Sequence, residues 1–108
     1  MIQINIYYTG KKGMAKAFAE EMIASGIVKA IRNEEGNLKY DYFTPIDDEN
    51  AILLIDAWTS QEALDLHHSL PLMQDIIKLR EKYGLTMKVE RYLLDEGGIP
   101  EKDKAYIK

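Results

Sequence analysis

The chain has 108 residues, which is enough for one ordinary domain and too few for an enzyme with separate cofactor and substrate lobes. It contains no cysteine, which excludes disulfides, thiolate nucleophiles and cysteine-ligated metal sites. Its 14 Lys and Arg against 18 Asp and Glu give a net charge of −4, with both signs mixed along the chain. This balance argues against a nucleic-acid partner.

No apolar run approaches the roughly 18 residues that a membrane span requires. Met1 leads directly into a strand-like segment, without the charged and apolar regions of a signal peptide. We therefore expect a cytoplasmic protein that has no membrane partner.

The first part of the chain predicts a strand followed by a two-part helix. Residues 2–8 alternate aliphatic and polar side chains, which is typical of a strand with one face on a core. From Met14, apolar residues recur every three or four positions and predict a helix to about Ser25. Gly26 should weaken or kink this helix, because glycine costs about 1 kcal/mol in a helix interior. Since the apolar pattern continues to about Arg32, we expect a bent or two-part helix.

Two strands are predicted in the middle of the chain. After a polar turn, residues 38–43 regain strand character, with Leu38, Tyr40 and Tyr42 on one face. Residues 51–58 form the most hydrophobic run in the chain and predict a central strand. The turn-forming residues between them predict an antiparallel hairpin.

The second half predicts two helices and a last strand. Thr59 and Ser60 are typical helix caps and open a helix to about His68. Pro71 starts a further helix with an apolar stripe, which ends near Tyr83. Strand-like alternation returns at residues 86–94.

The order β-α-β-β-α-β predicts an α+β, ferredoxin-like fold, in which a four-stranded antiparallel sheet carries both helices on one face. We assign residues 1–96 to this domain and residues 97–108 to a charged C-terminal tail. The other face of the sheet should carry apolar and aromatic residues, which a monomer rarely leaves in water. We therefore expect a homodimer that packs sheet against sheet into a dimeric α+β barrel.

Few side chains in this composition could carry chemistry. His67 lies near the end of a short helix, and its pKa near neutrality suits a group that orients or deprotonates a ligand; it could equally bond to backbone at this corner. Trp58, the one tryptophan, could seal the core or stack on an aromatic ligand. His67 and His68 point about 100° apart on a helix, so we predict no metal site.

Four further residues are candidate substrate contacts. Tyr40 lies on a predicted strand, and Phe18 and Met22 lie on the apolar face of the first helix. Asn5 is polar within the first strand and faces either the helices or the dimer contact. Only in the first case is its side chain available to a substrate.

Two stretches of the chain resemble the antibiotic biosynthesis monooxygenase (ABM) family. Residues 35–41, EGNLKYD, resemble the family pattern E-P-G-x-x-x-Y-[DE] from its second position, the proline, onward. Residues 58–64, WTSQEAL, followed by His67 and Pro71, resemble W-x-S-x-E-A-L-x-x-H and a following proline. The similarity covers about residues 1–94 in the same order and spacing.

The chain departs from the family pattern at two places. Glu35 stands where proline is usual, and Leu72 and Met73 follow Pro71 where His-Phe is frequent.

The resemblance implies a ferredoxin-like dimer with a pocket between helices and sheet in each protomer. It also implies cofactor-independent oxygenation of a small phenol or quinol, in which the deprotonated substrate itself reduces O₂. His67 and Trp58 would then be the catalytic residues, with His67 assisting substrate ionisation. A non-enzymatic ligand-binding or interaction dimer is the alternative. Haem degradation, the activity of another branch of the family, is a weaker alternative. Ile76, which cannot bind iron, stands nearest the position of that branch's iron-ligating histidine.

Overall fold

A computed structural model describes all 108 residues. The elements are β1 (Ile2–Thr9), α1 (Met14–Ala24), α2 (Ile27–Arg32), β2 (Asn37–Phe43), β3 (Ala51–Trp58), α3 (Gln61–His68), α4 (Leu72–Lys82), β4 (Thr86–Leu93) and a 3-10 helix (Glu101–Tyr106). The strands pair in the antiparallel order β2-β3-β1-β4, and the helices cover one face. The ferredoxin-like α+β fold is therefore confirmed. No helix in it combines the length and apolar character needed to cross a bilayer.

The first helix breaks at the predicted glycine. Gly26 adopts a φ of 86°, a left-handed conformation that side chains with a Cβ rarely tolerate. After this break, α2 turns Val28 and Ile31 into the same core as Met22 of α1. The two short helices thus continue one apolar surface across the sheet.

Strand alternation determines which side chains meet the helices. On the two central strands, the helix-facing side chains are Ile2, Ile4, Ile6 and Tyr8 of β1 and Ile52, Leu54, Asp56 and Trp58 of β3. The register aligns Ile4 with Asp56 and Ile6 with Leu54. A single carboxyl group therefore lies in the middle of the apolar helix-facing side of β3.

A bulge in β2 corrects one detail of the predicted strand. Between Asn37 and Lys39 the strand holds one residue more than β3 opposite it, so the register shifts. Leu38 is consequently 54% exposed and does not share the face of Tyr40, which is buried. The prediction that both lie on one face was wrong, because alternation in the sequence does not reveal an inserted residue.

The opposite side of the sheet, called here the outer face, has no helices. It combines apolar, aromatic and polar side chains: Gln3, Asn5 and Tyr7 of β1, Lys39, Asp41 and Phe43 of β2, Leu53, Ile55 and Ala57 of β3, and Lys88, Glu90 and Tyr92 of β4. The tail after β4 is exposed throughout, including its 3-10 helix.

Candidate functional site

A cavity of about 130 Å³ lies between the sheet and helices α3 and α4. Most of its wall is apolar. Its polar side chains come from five elements: Tyr8 of β1, Tyr40 of β2, Asp56 of β3, His67 and His68 of α3, and Arg80 of α4. An apolar cavity of about 150 Å³ can bind benzene, so this one has the size of a single aromatic ring.

Asp56 is held at the floor of the cavity by its neighbour on the same strand face. The indole Nε1 of Trp58 donates a hydrogen bond of 2.6 Å to Asp56 Oδ1, because residues two apart on a strand share a face. Oδ2 makes no hydrogen bond within the chain. Burial raises the pKa of Asp56 from its ordinary 3.8 to about 7; the charge of Glu34 adds to the rise and the Trp58 hydrogen bond opposes it.

His67 is buried beside this pair and is oriented by a carboxylate. Its Nδ1 lies 2.9 Å from Glu34 Oε1 and 3.0 Å from Oε2, and an ionised carboxylate can only accept, so Nδ1 donates. Its ring stacks on Trp58, with the centroids 4.7 Å apart. Burial lowers the pKa of His67, and the hydrogen bond with Glu34 works against this shift. The imidazole Nε2 has no partner within the chain.

The local sequence explains why Glu34 reaches His67. Ser60 caps α3 by accepting a hydrogen bond from the Ala63 backbone N–H at 3.2 Å, and His67 follows in the last turn of that helix. Gly36 lets the preceding loop lie against α3, since a Cβ at Gly36 would stand 2.5 Å from the Ala63 Cβ. This close approach places the carboxylate of Glu34 against the imidazole.

The wall also contains two neutral phenols and one positively charged guanidinium group. Tyr8 and Tyr40 are buried, which raises the pKa of both phenols, so they stay protonated and can donate hydrogen bonds. Arg80 forms no ion pair in the structure, and its Nη1 lies 3.1 Å from the Met87 sulfur. The cavity therefore holds a cation on α4 and a titratable carboxyl on β3.

A surface groove of about 370 Å³ lies beside the cavity, between α3 and β4. Ile6, Asp56, His68 and Met87 line both spaces.

Two of the six residues predicted from sequence line the cavity, namely His67 and Tyr40. Trp58 is fully buried behind the wall, and its indole N–H is bonded to Asp56 rather than free at a pocket mouth. Its placement is that of a support for Asp56 and His67.

The other three predicted contacts lie away from the cavity wall. Phe18 and Met22 are fully buried in the core under α1, whereas the cavity lies under α3 and α4. Asn5 lies on the outer face, where its Oδ1 accepts a hydrogen bond from Gln3 Nε2 at 3.0 Å. The structure therefore separates these side chains from a ligand in the cavity.

Sequence reasoning missed Asp56, the one carboxyl group in the cavity wall. Two signals could have identified it. It is the single charged residue in the most hydrophobic run of the chain, and it stands two positions before Trp58, on the same strand face. Nowhere in the structure do three His, Asp or Glu side chains converge as a metal site requires.

Comparison with known proteins identifies proteins similar to this chain. The family model described as antibiotic biosynthesis monooxygenase matches residues 1–79. Among curated proteins, the chain is 29% identical over 97 residues to "Putative monooxygenase YcnE" of Bacillus subtilis (strain 168). This match covers 89% of the chain and 100% of the relative.

Solved structures of similar shape support the fold. A "putative antibiotic biosynthesis monooxygenase" from Deinococcus radiodurans matches with a TM-score of 0.78 at 21% identity, over 93% of this chain and 97% of that one. SnoaB, a cofactor-independent oxygenase from Streptomyces nogalater, matches with a TM-score of 0.74 at 15% identity, over the same 93% and 97%. At these identities the likeness concerns the fold alone.

Proposed function

Because this chain belongs to the antibiotic biosynthesis monooxygenase family, we propose that it is a cofactor-independent oxygenase of a small phenol or quinol. The observation that carries this proposal is the cavity itself. It has the size of one aromatic ring, a mostly apolar wall, and a carboxyl group and an imidazole among its lining side chains. A phenol needs this combination, since its ring is apolar and its hydroxyl group must lose a proton before it can reduce O₂.

Each part of the cavity has a role in this proposal. Ile6, Leu54 and Ile76 pack against the ring and keep water away from the reactive intermediate. His67 is held by Glu34 through Nδ1, which leaves Nε2 to orient the hydroxyl group of the substrate. Trp58 fixes the plane of the imidazole by stacking on it.

The dimensions of the site define a substrate class. A cavity of about 130 Å³ accepts one ring, and the adjoining groove accepts a second ring or a side chain. We therefore propose one-ring and two-ring hydroquinones, catechols and naphthols as substrates, and expect three-ring anthrones to enter poorly.

A haem does not fit this site. Ile76, at the position nearest the iron ligand of the haem-degrading branch, contributes an aliphatic side chain to the cavity wall. A macrocycle of four pyrrole rings is also far larger than a cavity for one ring. No step of the proposed reaction involves haem.

We further propose that two copies pair through their outer faces. Tyr7, Leu53, Ile55, Phe43 and Tyr92 place apolar and aromatic side chains on this face, and Phe43 and Tyr92 are 42% and 47% exposed in the single chain. A two-fold symmetric contact would bury these side chains in one step.

Oxygen consumption tests the proposed activity. Purified protein, with a metal chelator present, is given hydroquinone, 1-naphthol, menadiol or anthrone, and uptake is compared with autoxidation in buffer alone. We expect protein-dependent uptake with the one-ring and two-ring substrates and a loss of at least tenfold in His67→Ala. The variant Asp47→Asn, changed at an exposed loop residue, should match the wild type.

Two results would contradict the proposal. Tight binding of these phenols without any oxygen uptake would make the protein a non-enzymatic binding dimer. Uptake that disappears with the chelator would show that the reaction depends on a metal.

A further inference from the structure

We propose that Asp56 is the base that accepts the hydroxyl proton of the bound substrate, and that Trp58 is the residue that positions it. This inference rests on the proposed oxygenase function and deepens it, because it assigns the proton transfer to a residue that the sequence pattern did not indicate.

The position of Asp56 is the first support. It stands on the central strand β3, between Ile4 of β1 and Tyr40 of β2, and it lines both the cavity and the groove. It is one of four residues that line both spaces, the others being Ile6, His68 and Met87. No other Asp or Glu side chain belongs to either wall.

The hydrogen bonding of Asp56 leaves one oxygen available. Trp58 Nε1 occupies Oδ1 at 2.6 Å, while Oδ2 has no partner in the chain. A general base must come within hydrogen-bond reach of the proton that it removes. Because the indole is itself fully buried and stacked on His67, it holds the carboxyl group at one orientation.

The surroundings of Asp56 favour proton acceptance near neutral pH. Burial raises the pKa of Asp56 to about 7. This makes its carboxylate a base roughly a thousandfold stronger than that of an exposed aspartate. The titratable and charged groups around it are Tyr8 of β1, Tyr40 and Tyr42 of β2, Glu34 of the loop before β2, His67 and His68 of α3, Arg80 of α4, and Arg91 of β4 at the groove.

Three of these neighbours are less suited to accept the proton. Tyr8 and Tyr40 remain protonated because burial raises the pKa of both. His67 already donates Nδ1 to Glu34, and burial lowers its pKa, which weakens Nε2 as a base.

The proposed step conserves charge within the cavity. The O–H bond of the substrate breaks, its electron pair remains on the substrate oxygen, and the proton moves to Asp56 Oδ2. One negative charge leaves the carboxylate and one appears on the phenolate, so no additional charge is created in the low-dielectric site. The unpaired guanidinium of Arg80 lies in the same wall and favours the phenolate.

A substrate series tests whether Asp56 acts as a base. Oxygen uptake is measured for wild type and Asp56→Asn with hydroquinones of increasing acidity, from unsubstituted to halogenated and nitro-substituted. With the unsubstituted substrate we expect kcat/KM to fall by about 10²- to 10⁴-fold in Asp56→Asn, the usual contribution of a general base. With substrates already ionised in solution, the ratio of wild type to variant should fall below about tenfold. Asp47→Asn is the matched control, with a ratio near one throughout.

A pH profile tests the positioning role of Trp58. In the wild type, kcat/KM for unsubstituted hydroquinone should rise with pH and level off above a midpoint near 7, because the carboxylate is the active form. Trp58→Phe keeps a ring against His67 but removes the hydrogen bond that lowers the pKa of Asp56. We expect its midpoint to move to higher pH, a shift that a loss of folded protein would not produce.

Specific results would overturn this inference. A wild-type to Asp56→Asn ratio that stays constant along the acidity series would show that Asp56 only supports the structure. Equal activity of the two proteins with hydroquinone would exclude any role in proton transfer.

A binding experiment separates this inference from the oxygenase proposal. 4-Nitrophenol, whose ionised form absorbs at longer wavelength, is bound to wild type and Asp56→Asn near neutral pH without any turnover. We expect the wild type to shift the bound ligand toward the ionised spectrum and Asp56→Asn to hold it neutral. Identical neutral spectra in both proteins would refute the base even if oxygen uptake is found. The expected difference would support the base even if no phenol is oxidised.

Discussion

Replacing Asp56 by asparagine should stabilise the protein at neutral and alkaline pH. Asparagine has the same shape, and its Oδ1 can still accept the hydrogen bond that Trp58 donates at 2.6 Å. The substitution removes the cost of ionising a carboxyl group that is only 5% exposed on the central strand. The wild type carries this energetic penalty because its site requires a carboxylate, as is common at functional sites.

The magnitude follows from the pKa of Asp56. It rises from an ordinary 3.8 to about 7 through burial, and three units correspond to about 4 kcal/mol. A pKa raised by folding gives a stability contribution that is complete below the unfolded pKa and lost as pH rises to the folded one. The wild type should therefore lose stability, relative to Asp56→Asn, between about pH 4 and pH 7. The difference should then remain constant at about 4 kcal/mol above pH 8.

Urea unfolding at a series of pH values measures this difference. Trp58 is the one tryptophan, so its fluorescence follows the unfolding of the site directly. The asparagine variant and wild type should agree at pH 4 and diverge as pH rises, while Asp47→Asn should follow the wild type throughout. A difference that does not change with pH, or a variant that becomes relatively less stable at high pH, would refute the assigned ionisation of Asp56.

Four further substitutions have definite expected outcomes. Gly36→Ala should destabilise the protein by at least about 2 kcal/mol in urea unfolding, because the new Cβ would meet Ala63 at 2.5 Å. Gly26→Ala, at a similar φ with open space around it, should cost only about 1 kcal/mol, and equal losses would contradict the close-approach argument. His67→Ala should cost about 2–4 kcal/mol at pH 7 in the same assay, since it opens a void against Trp58; a loss below 1 kcal/mol would contradict the packing. Ile55→Lys should convert the proposed dimer to monomer in sedimentation velocity, and an unchanged dimer would place the contact elsewhere.

Much of the fold follows from periodicity in the sequence. The alternation in β1 and the helical spacing after Met14 reflect burial on one side of each element, and the structure confirms both. The helix break at Gly26 was also predictable, because only glycine readily adopts its φ of 86°. The bulge at Leu38 was not, since the inserted residue leaves no distinct local signal.

The candidate site could be predicted only in part. His67 was a candidate both from its place near a helix end and from the family resemblance, whereas its carboxylate partner Glu34 lies 33 residues earlier and meets it only in the folded chain. Phe18 was correctly placed on a buried helix face, but periodicity does not tell which helix covers a cavity. For Asn5, the sequence left both faces open, and the burial of Ile2 and Tyr8 on the opposite side of β1 places it on the outer face.

The indole of Trp58 contacts two ionisable groups at once, because its Nε1 donates a hydrogen bond to Asp56 and its face stacks on His67. A change on either side must alter the support of the other. The losses of kcat/KM in Asp56→Asn and His67→Ala should therefore overlap, so that the double variant loses less activity than the two single losses together predict. Evolution at one position would constrain the other through a ring that lies behind the cavity wall.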